Sequence, residues 1–434
     1  MTMSWVTRRG EALLTFVGAK VLKDVASTLV GNALGAAAAF VAGALLANWL
    51  GPELRGEFEL GLFAANAALL VLGLGLNVPV AVFVTKSPER GYWAYRFGLW
   101  LCLLSAVLSS VALVTCYRID CSFARRWLSQ EVSLGVVGVF TALSMLQLVN
   151  GLLVGLGRIH WQNLGTMCRW VGYLGLVTIM LLFAPPAAEL ALAAFATAAL
   201  GAAIFGWVGA QPRWPGGRGA SPTRAIRREV LWFGLRAQFA NLFQYASYRF
   251  DVLLVGLWVG KAGLGVYAVG VMFSEALWLL PNAVGTVLLS HTSRASLEEA
   301  QARIGHVFRS AMVIIVFGAA SLALFAPAVV RFYLGKPYAQ VPLVTWLLLP
   351  GAVALGGTKI LSNELTARGF PGVNTFIAMC GALLTVLADV LLIPPFGILG
   401  ASAASTLGYS LSFALTWYVF LRRAGVPLLA RGGS

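Results

Sequence analysis

Long apolar runs dominate this chain and set the terms on which it can fold. Each is roughly 20 residues or more, enough to cross the hydrocarbon core of a bilayer as a helix. They fall at approximately 25–48, 60–85, 93–117, 131–156, 163–184 and 187–209, then 232–259, 262–290, 307–331, 341–365, 371–393 and 396–421. No stretch between them is large enough for a soluble domain. In hydrocarbon the chain must satisfy its own backbone N–H and C=O groups, so the runs read as helices. The expected fold is therefore an all-α integral membrane protein with about twelve transmembrane helices. Composition agrees: 59% hydrophobic against 11% charged residues is too apolar for a soluble surface.

Orientation follows from the basic residues. With the N-terminus inside, about 22 of the 31 Lys and Arg residues fall on cytoplasmic segments and about seven on outer ones. Both termini are thus expected to be cytoplasmic. The N-terminal TRRGEALLTFVGAK reads as a tail rather than an export signal, because its apolar part is short and no small-residue cleavage site follows. The densest basic segment, QPRWPGGRGASPTRAIRRE, joins the sixth and seventh runs and carries five arginines. Orientation explains its charge, with contact to anionic lipid head groups as the alternative. The same argument accounts for most of the net charge of +15, so nucleic acid is not an expected partner. Cys116 and Cys121 flank an outer loop where a local bridge is conceivable; Cys102, Cys168 and Cys380 sit in apolar runs as small hydrophobes.

One short pattern occurs twice. WLGPELRGEF at 49–58 and WVGKAGLGVY at 258–267 share Trp, Gly, Gly and an aromatic residue at matching positions, and Gly51 and Gly260 lie 209 residues apart. The same offset pairs Asn32 with Asn241, Thr166 with Thr375, Gly172 with Gly381, Pro185 and Pro186 with Pro394 and Pro395, and Thr197 with Thr406. A constant offset at separate points implies duplication. The expected organisation is a six-helix lobe at 1–209, a basic linker at 210–229 and a second six-helix lobe at 230–434. An even number of crossings per lobe relates the copies by a pseudo-twofold axis along the membrane normal. The quoted stretches are then the first outer loop of each lobe, architectural turns in which Gly relieves the backbone and Pro52 ends a helix.

ALLANWLGPELRGEFELGLFAANAALLVLGLGLN resembles the N-terminal signature of polysaccharide flippases, and YRFDVLLVGLWVGKAGLGVYAVGVMFSEALWLLPNAVGTVLL is similar to their seventh and eighth helices. LLIPPFGILGASAAST resembles their junction between helices eleven and twelve. The resemblance covers most of the chain and is to the multidrug/oligosaccharidyl-lipid/polysaccharide exporter superfamily. It implies a flippase that moves a polyprenyl-pyrophosphate-linked oligosaccharide across a bacterial inner membrane by alternating access, for surface polysaccharide biosynthesis. Implied partners are the lipid-linked oligosaccharide, membrane lipids and other polysaccharide assembly proteins, with no cofactor and no enzymatic step.

Ionisable groups at bilayer depth are the first candidates for function. At 100° per residue, Gln238, Asn241, Tyr245 and Arg249 make one narrow stripe on the seventh helix, while Gln244, Ser247 and Asp251 lie nearly opposite. Amide, phenol and guanidinium groups suit sugar hydroxyls and pyrophosphate oxygens, which places the Arg249 stripe at a substrate cavity. The alternative is that Arg249 ties helices together. On the eighth helix Glu275, Trp278 and Asn282 share a face, where Trp278 would either stack on sugar or pack. Lys359 and Asn363 form a further polar face on the tenth helix, with snorkelling as the blander reading. Related lipid II flippases use acidic and hydroxyl groups of the second lobe for cation coupling. By that resemblance Asp251 and Asp389, with Thr385 and Thr406, would form a Na+ or H+ site, against the alternative of a structural Asp. In the first lobe, Asn32, Asn66, Asn77, Gln147 and Asn150 either line a cavity or hold helices together.

Other chemistry has little support. No Walker A sequence is present, and His160, His291 and His306 show no metal-ligand spacing. The run LGLGLN at 72–77 reads as helix-packing material within an apolar span. Two alternatives remain: a cation-coupled multidrug exporter of the same superfamily, and a polysaccharide polymerase or ligase. The latter is disfavoured by an outer loop of at most about 14 residues.

Overall fold

The computed structural model describes residues 3–118, 129–210, 224–279, 281, 297–368 and 370–424. Among the described residues twelve α-helices follow one another: α1 (Met3–Leu72), α2 (Asn77–Lys86), α3 (Pro88–Arg118), α4 (Gln130–Gly155), α5 (Ile159–Phe183) and α6 (Ala188–Ala210), then α7 (Arg224–Trp258), α8 (Lys261–Glu275), α9 (Leu297–Val329), α10 (Val341–Ala367), α11 (Pro371–Phe396) and α12 (Ile398–Ala424). No strand occurs among the described residues. Asn282, the Cys121 end of the conceivable bridge, His291 and most of the basic segment at 210–229 lie outside them.

Among the described residues nine helical segments are long and apolar enough to cross a membrane. The difference from twelve has three sources. The first two expected spans are counted once, as Gly31–Leu72. The seventh, α7, carries too many polar groups, and the eighth, α8, ends after 15 residues in a 3-10 turn at Ala276–Trp278. Large apolar side chains such as Phe183, Phe317, Leu324 and Phe332 are exposed on the helix faces, as lipid contact requires. Hydroxyls within the helices are mostly returned to their own backbone, for example Ser144 to the Phe140 carbonyl and Thr416 to the Ser412 carbonyl.

The expected first outer loop is not a loop. α1 bends at a single residue, Gly51 (φ 68°, ψ 174°), and resumes as helix at once. Its counterpart Gly260 (φ 97°, ψ 173°) makes the same break between α7 and α8. Glycine is required at both because side chains rarely tolerate this left-handed region. One turn later the backbones of Gly56 and Gly265 touch. A Cβ on Gly56 would strike the Lys261 carbonyl, and one on Gly265 would strike the Pro52 carbonyl. Pro52 and Lys261 are themselves 209 residues apart, so this contact is reciprocal, as a local twofold requires.

LGLGLN at 72–77 also departs from expectation. Rather than packing within a helix, it ends α1, and Leu74 (φ 50°) and Gly75 (φ 60°) turn the chain into α2. Gly73 and Gly75, two residues apart, weaken the helix, and α7 passes close enough to use the break. A Cβ on Gly75 would meet the Gly234 carbonyl, and one on Gly234 would meet the Leu74 carbonyl. The exposed ends of α1 are satisfied by Gln238, whose amide donates to the Leu69 and Leu70 carbonyls at 3.2 and 2.8 Å.

One buried cluster runs from Ala42 to Val230, a second around Tyr267 joins Ala47 and Leu60 of α1 to residues of the second half, and two smaller ones centre on Ile360 and Leu277. Between the halves α1 packs along α8 and α7, with Phe40 against Phe273 and Phe63 against Tyr245, and further contacts lie at two ends. At the Gly51 end Lys261 pairs with Glu57 at 3.0 Å and the Tyr338 hydroxyl donates to the Ala47 carbonyl at 2.7 Å. At the other end α2 packs on α7, with Phe83 against Phe233 and Arg90 3.8 Å from Glu229.

Candidate functional site

A cavity of about 170 Å3 lies between the halves. Restarting the helix after Gly51 places Arg55, Glu59 and Leu62 on one face of α1, toward the cavity. α5 adds Trp170 and Tyr173, and the second half adds Arg249, Met272 and Glu275. Two guanidiniums therefore meet across the interface, each held by a carboxylate of its own half. Arg55 Nη2 is 2.6 Å from Glu59 Oε1, and Arg249 Nη2 is 2.8 and 3.0 Å from the two Glu275 oxygens. The Arg55 guanidinium also lies 5.0 Å from the Phe58 ring. Such pairs keep the cavity neutral when empty. They also leave two planar donors that an incoming multivalent anion can engage in place of the carboxylates.

The stripe on α7 faces α1, and its members do different things there. Gln238 is committed to the α1 carbonyls. Tyr245 stacks on Phe63 at 5.8 Å and donates to the Phe63 carbonyl at 3.3 Å, while Asn241 is exposed. Arg249 alone of the four lines the cavity. On the eighth helix Glu275 lines it too. Trp278 turns instead into an aromatic cluster with Tyr248 and Tyr409, its ring 4.4 Å from the Lys359 ammonium. Sequence reasoning did not find Arg55, Glu59, Trp170 or Tyr173. A visible signal existed for the first two, since Arg and Glu four residues apart fit one helix face, but the stretch was assigned to a loop.

The opposite face of α7 carries a second site. Asp251 Oδ1 accepts from the Val252 amide at 2.7 Å. Its Oδ2 accepts from the Tyr267 hydroxyl and, at 3.3 Å, from Ser405. Asp389 on α11, a helix that packs on α7, has no exposed surface and neither of its oxygens has a hydrogen-bond partner. Thr385 sits one turn before Asp389, its hydroxyl given to the Gly381 carbonyl at 2.9 Å. Thr406 points elsewhere, donating to the Leu347 carbonyl at 2.5 Å. The structure thus gathers Asp251, Asp389 and Thr385, leaves Thr406 out, and adds Tyr267 and Ser405. No cluster of three or more acidic, His or Cys side chains suited to a metal occurs among the described residues.

An isolated buried carboxylate is costly as an anion, and two in one low-dielectric site are costlier still. Either a proton or a cation must offset the second charge.

Comparison with known proteins bears on the family and the fold. A "Probable low-salt glycan biosynthesis flippase Agl15" of Haloferax volcanii is 20% identical over 191 residues, 40% of each chain. An uncharacterized membrane protein of Methanocaldococcus jannaschii is 30% identical over 103 residues, 24% of this chain and 20% of that one. The matched stretches therefore span well under two thirds of these curated relatives. In fold, the chain is similar to an inward-facing multidrug resistance MATE family transporter of the MOP superfamily, with a TM-score of 0.69 at 16% identity over 92% of this chain and 96% of the other. It is equally similar to the lipid II flippase MurJ in an inward closed conformation, with a TM-score of 0.69 at 12% identity over 92% and 87%. The profile of one family, described as "Polysaccharide biosynthesis protein", matches residues 21–294, more than half of the chain. The protein is a multi-pass, all-helical membrane protein and belongs to that polysaccharide biosynthesis family.

Proposed function

We propose that the chain is a flippase for a lipid-linked oligosaccharide, working by alternating access in a bacterial inner membrane. The observation that carries this reading is the pair Arg55 and Arg249, which face one cavity from opposite halves. A pyrophosphate between lipid and sugar would draw both guanidiniums and bridge the halves, while Trp170 and Tyr173 offer surfaces for sugar rings. Binding would then release Glu59 and Glu275 and change the balance between the halves, so substrate and conformation are linked. The halves act as the two lobes at 1–209 and 230–434, joined by the basic segment at 210–229, with both termini cytoplasmic. Other polysaccharide assembly proteins would supply the substrate and use the product.

In this reading the Asp251 and Asp389 pair couples transport to a proton. Asp389, buried with no hydrogen-bond partner, is the group that would take up and release that proton.

The equal likeness in fold to a multidrug transporter favours one alternative, a cation-coupled drug exporter of the same superfamily. Complementation separates the two. The gene should restore surface polysaccharide to a flippase-null strain and leave drug susceptibility unchanged; lowered susceptibility without polysaccharide would select the exporter.

A further inference from the structure

A second polar cavity, about 210 Å3, lies within the second half, between α7, α10, α11 and α12. The flippase mechanism above leaves it unused. Its wall carries Gln244, Ser247, Thr358, Lys359, Asn374 and Ser412 but no carboxylate. So many amide and hydroxyl groups inside a membrane bundle are costly unless they are wetted. Asn374 donates to the Ser362 carbonyl and the Thr366 hydroxyl at 2.8 Å each, yet its buried Oδ1 accepts nothing from the protein. The space is large enough for several waters, and this oxygen is one place where a water could donate.

The cavity stops short of the carboxylate pair, and what lies between is small and polar. Ser247 precedes Asp251 by one turn on α7, and Ser412 lies two turns from Ser405 on α12. On α11 the path from the cavity wall at Ala378 passes Gly381 and Thr385 to Asp389. A Cβ on Gly381 would touch the Ser412 hydroxyl, and one on Gly408 would touch that of Thr385, so hydroxyls fill the seam where bulky apolar groups would seal it. The three helices pack on one another along this line.

We infer that this cavity is an aqueous antechamber through which protons pass between the Asp251 and Asp389 pair and the solution at the α10–α11 end of the bundle. The inference rests on the coupling role proposed for the pair. Lys359, 4.4 Å from the Trp278 ring, makes the cavity a poor resting place for a metal cation, because it meets an ammonium and no carboxylate. A proton relayed along water need not rest there. Besides these groups, the pair faces Tyr267 of α8 and Tyr409 of α12, with Arg249 acting on Asp251 from α7.

Infrared spectroscopy of the full chain in lipid at neutral pH tests this without a known substrate. A buried carboxylic-acid carbonyl band should be present, should be lost in Asp389→Asn or Asp251→Asn, and should shift promptly when H2O is exchanged for D2O. Two plugs address the route: Ala378→Leu, and Ser362→Cys alkylated after folding, with alkylated wild type as the control for its five native cysteines. Each should slow the shift by an order of magnitude or more while the band itself persists. A folded, plugged protein that exchanges as fast as wild type overturns the antechamber and leaves the carboxylate pair standing. Absence of any band that depends on Asp389 or Asp251 removes the shared proton, and the antechamber with it. Loss of the band on adding Na+ at constant pH overturns the assignment to protons.

Discussion

Arg249 and Asp251 are two residues apart on one helix, and the roughly 200° between them separates two kinds of work. That angle was legible from spacing alone. What spacing could not supply was the partner of each side chain: Gln238 and Arg249 share a stripe, yet Gln238 caps broken helix while Arg249 meets Glu275 in the cavity. Arg249→Ala should abolish flipping while folded protein is retained in detergent. Arg249→Lys should restore only part of it, because the planar bidentate donor is gone; full transport by stable Arg249→Ala protein would remove Arg249 from the substrate path. Asp389→Asn keeps the shape of a neutral acid, so its thermal stability at neutral pH should change by no more than about 1 kcal/mol while coupling is lost. If Asp389 were instead an anion stabilising the fold, the same variant would unfold at markedly lower temperature.

At the scale of elements, glycine decides where helices break and where they touch. The sequence showed the repeat of Gly51 and Gly260 but not that each break is a single residue, because a short turn and a one-residue kink leave the same Gly and Pro marks. The error hid Arg55 and Glu59, which a helix from Pro52 onward puts in the interior. LGLGLN at 72–77 hides its turn for a related reason: alternating Gly and Leu is apolar enough for a span, and the nearby Gly234 that makes the turn worthwhile is distant in sequence. Gln238→Ala should leave the Leu70 carbonyl without its donor, and the Leu69 carbonyl with the Gly73 amide, at a cost of about 1–3 kcal/mol measurable as a lower melting temperature. Gly56→Leu and Gly265→Leu should each reduce folded protein by forcing the halves apart, and similar losses in the two variants are expected from the reciprocal contact. Normal stability of either would mean that the backbones do not meet there.

For the whole molecule, apolar runs and their lengths made the all-helical membrane fold readable, since hydrocarbon allows few other solutions. The cavity between the halves was not readable, because its lining comes from α1, α5, α7 and α8, whose packing no local pattern encodes. The proposed orientation predicts cytoplasmic signals from reporters fused after Arg228 and after Ser434; a periplasmic signal at either would reverse it. The central claim is movement of a lipid-linked oligosaccharide between leaflets, and the direct measurement is leaflet sidedness. A flippase-null strain would be supplied with the gene, and the lipid-linked glycan exposed to a membrane-impermeant reagent at the outer face of spheroplasts. Wild-type protein should render the glycan accessible and Arg249→Ala should leave it protected at equal expression, whereas a glycan that stays protected with abundant, folded wild-type protein would contradict the account.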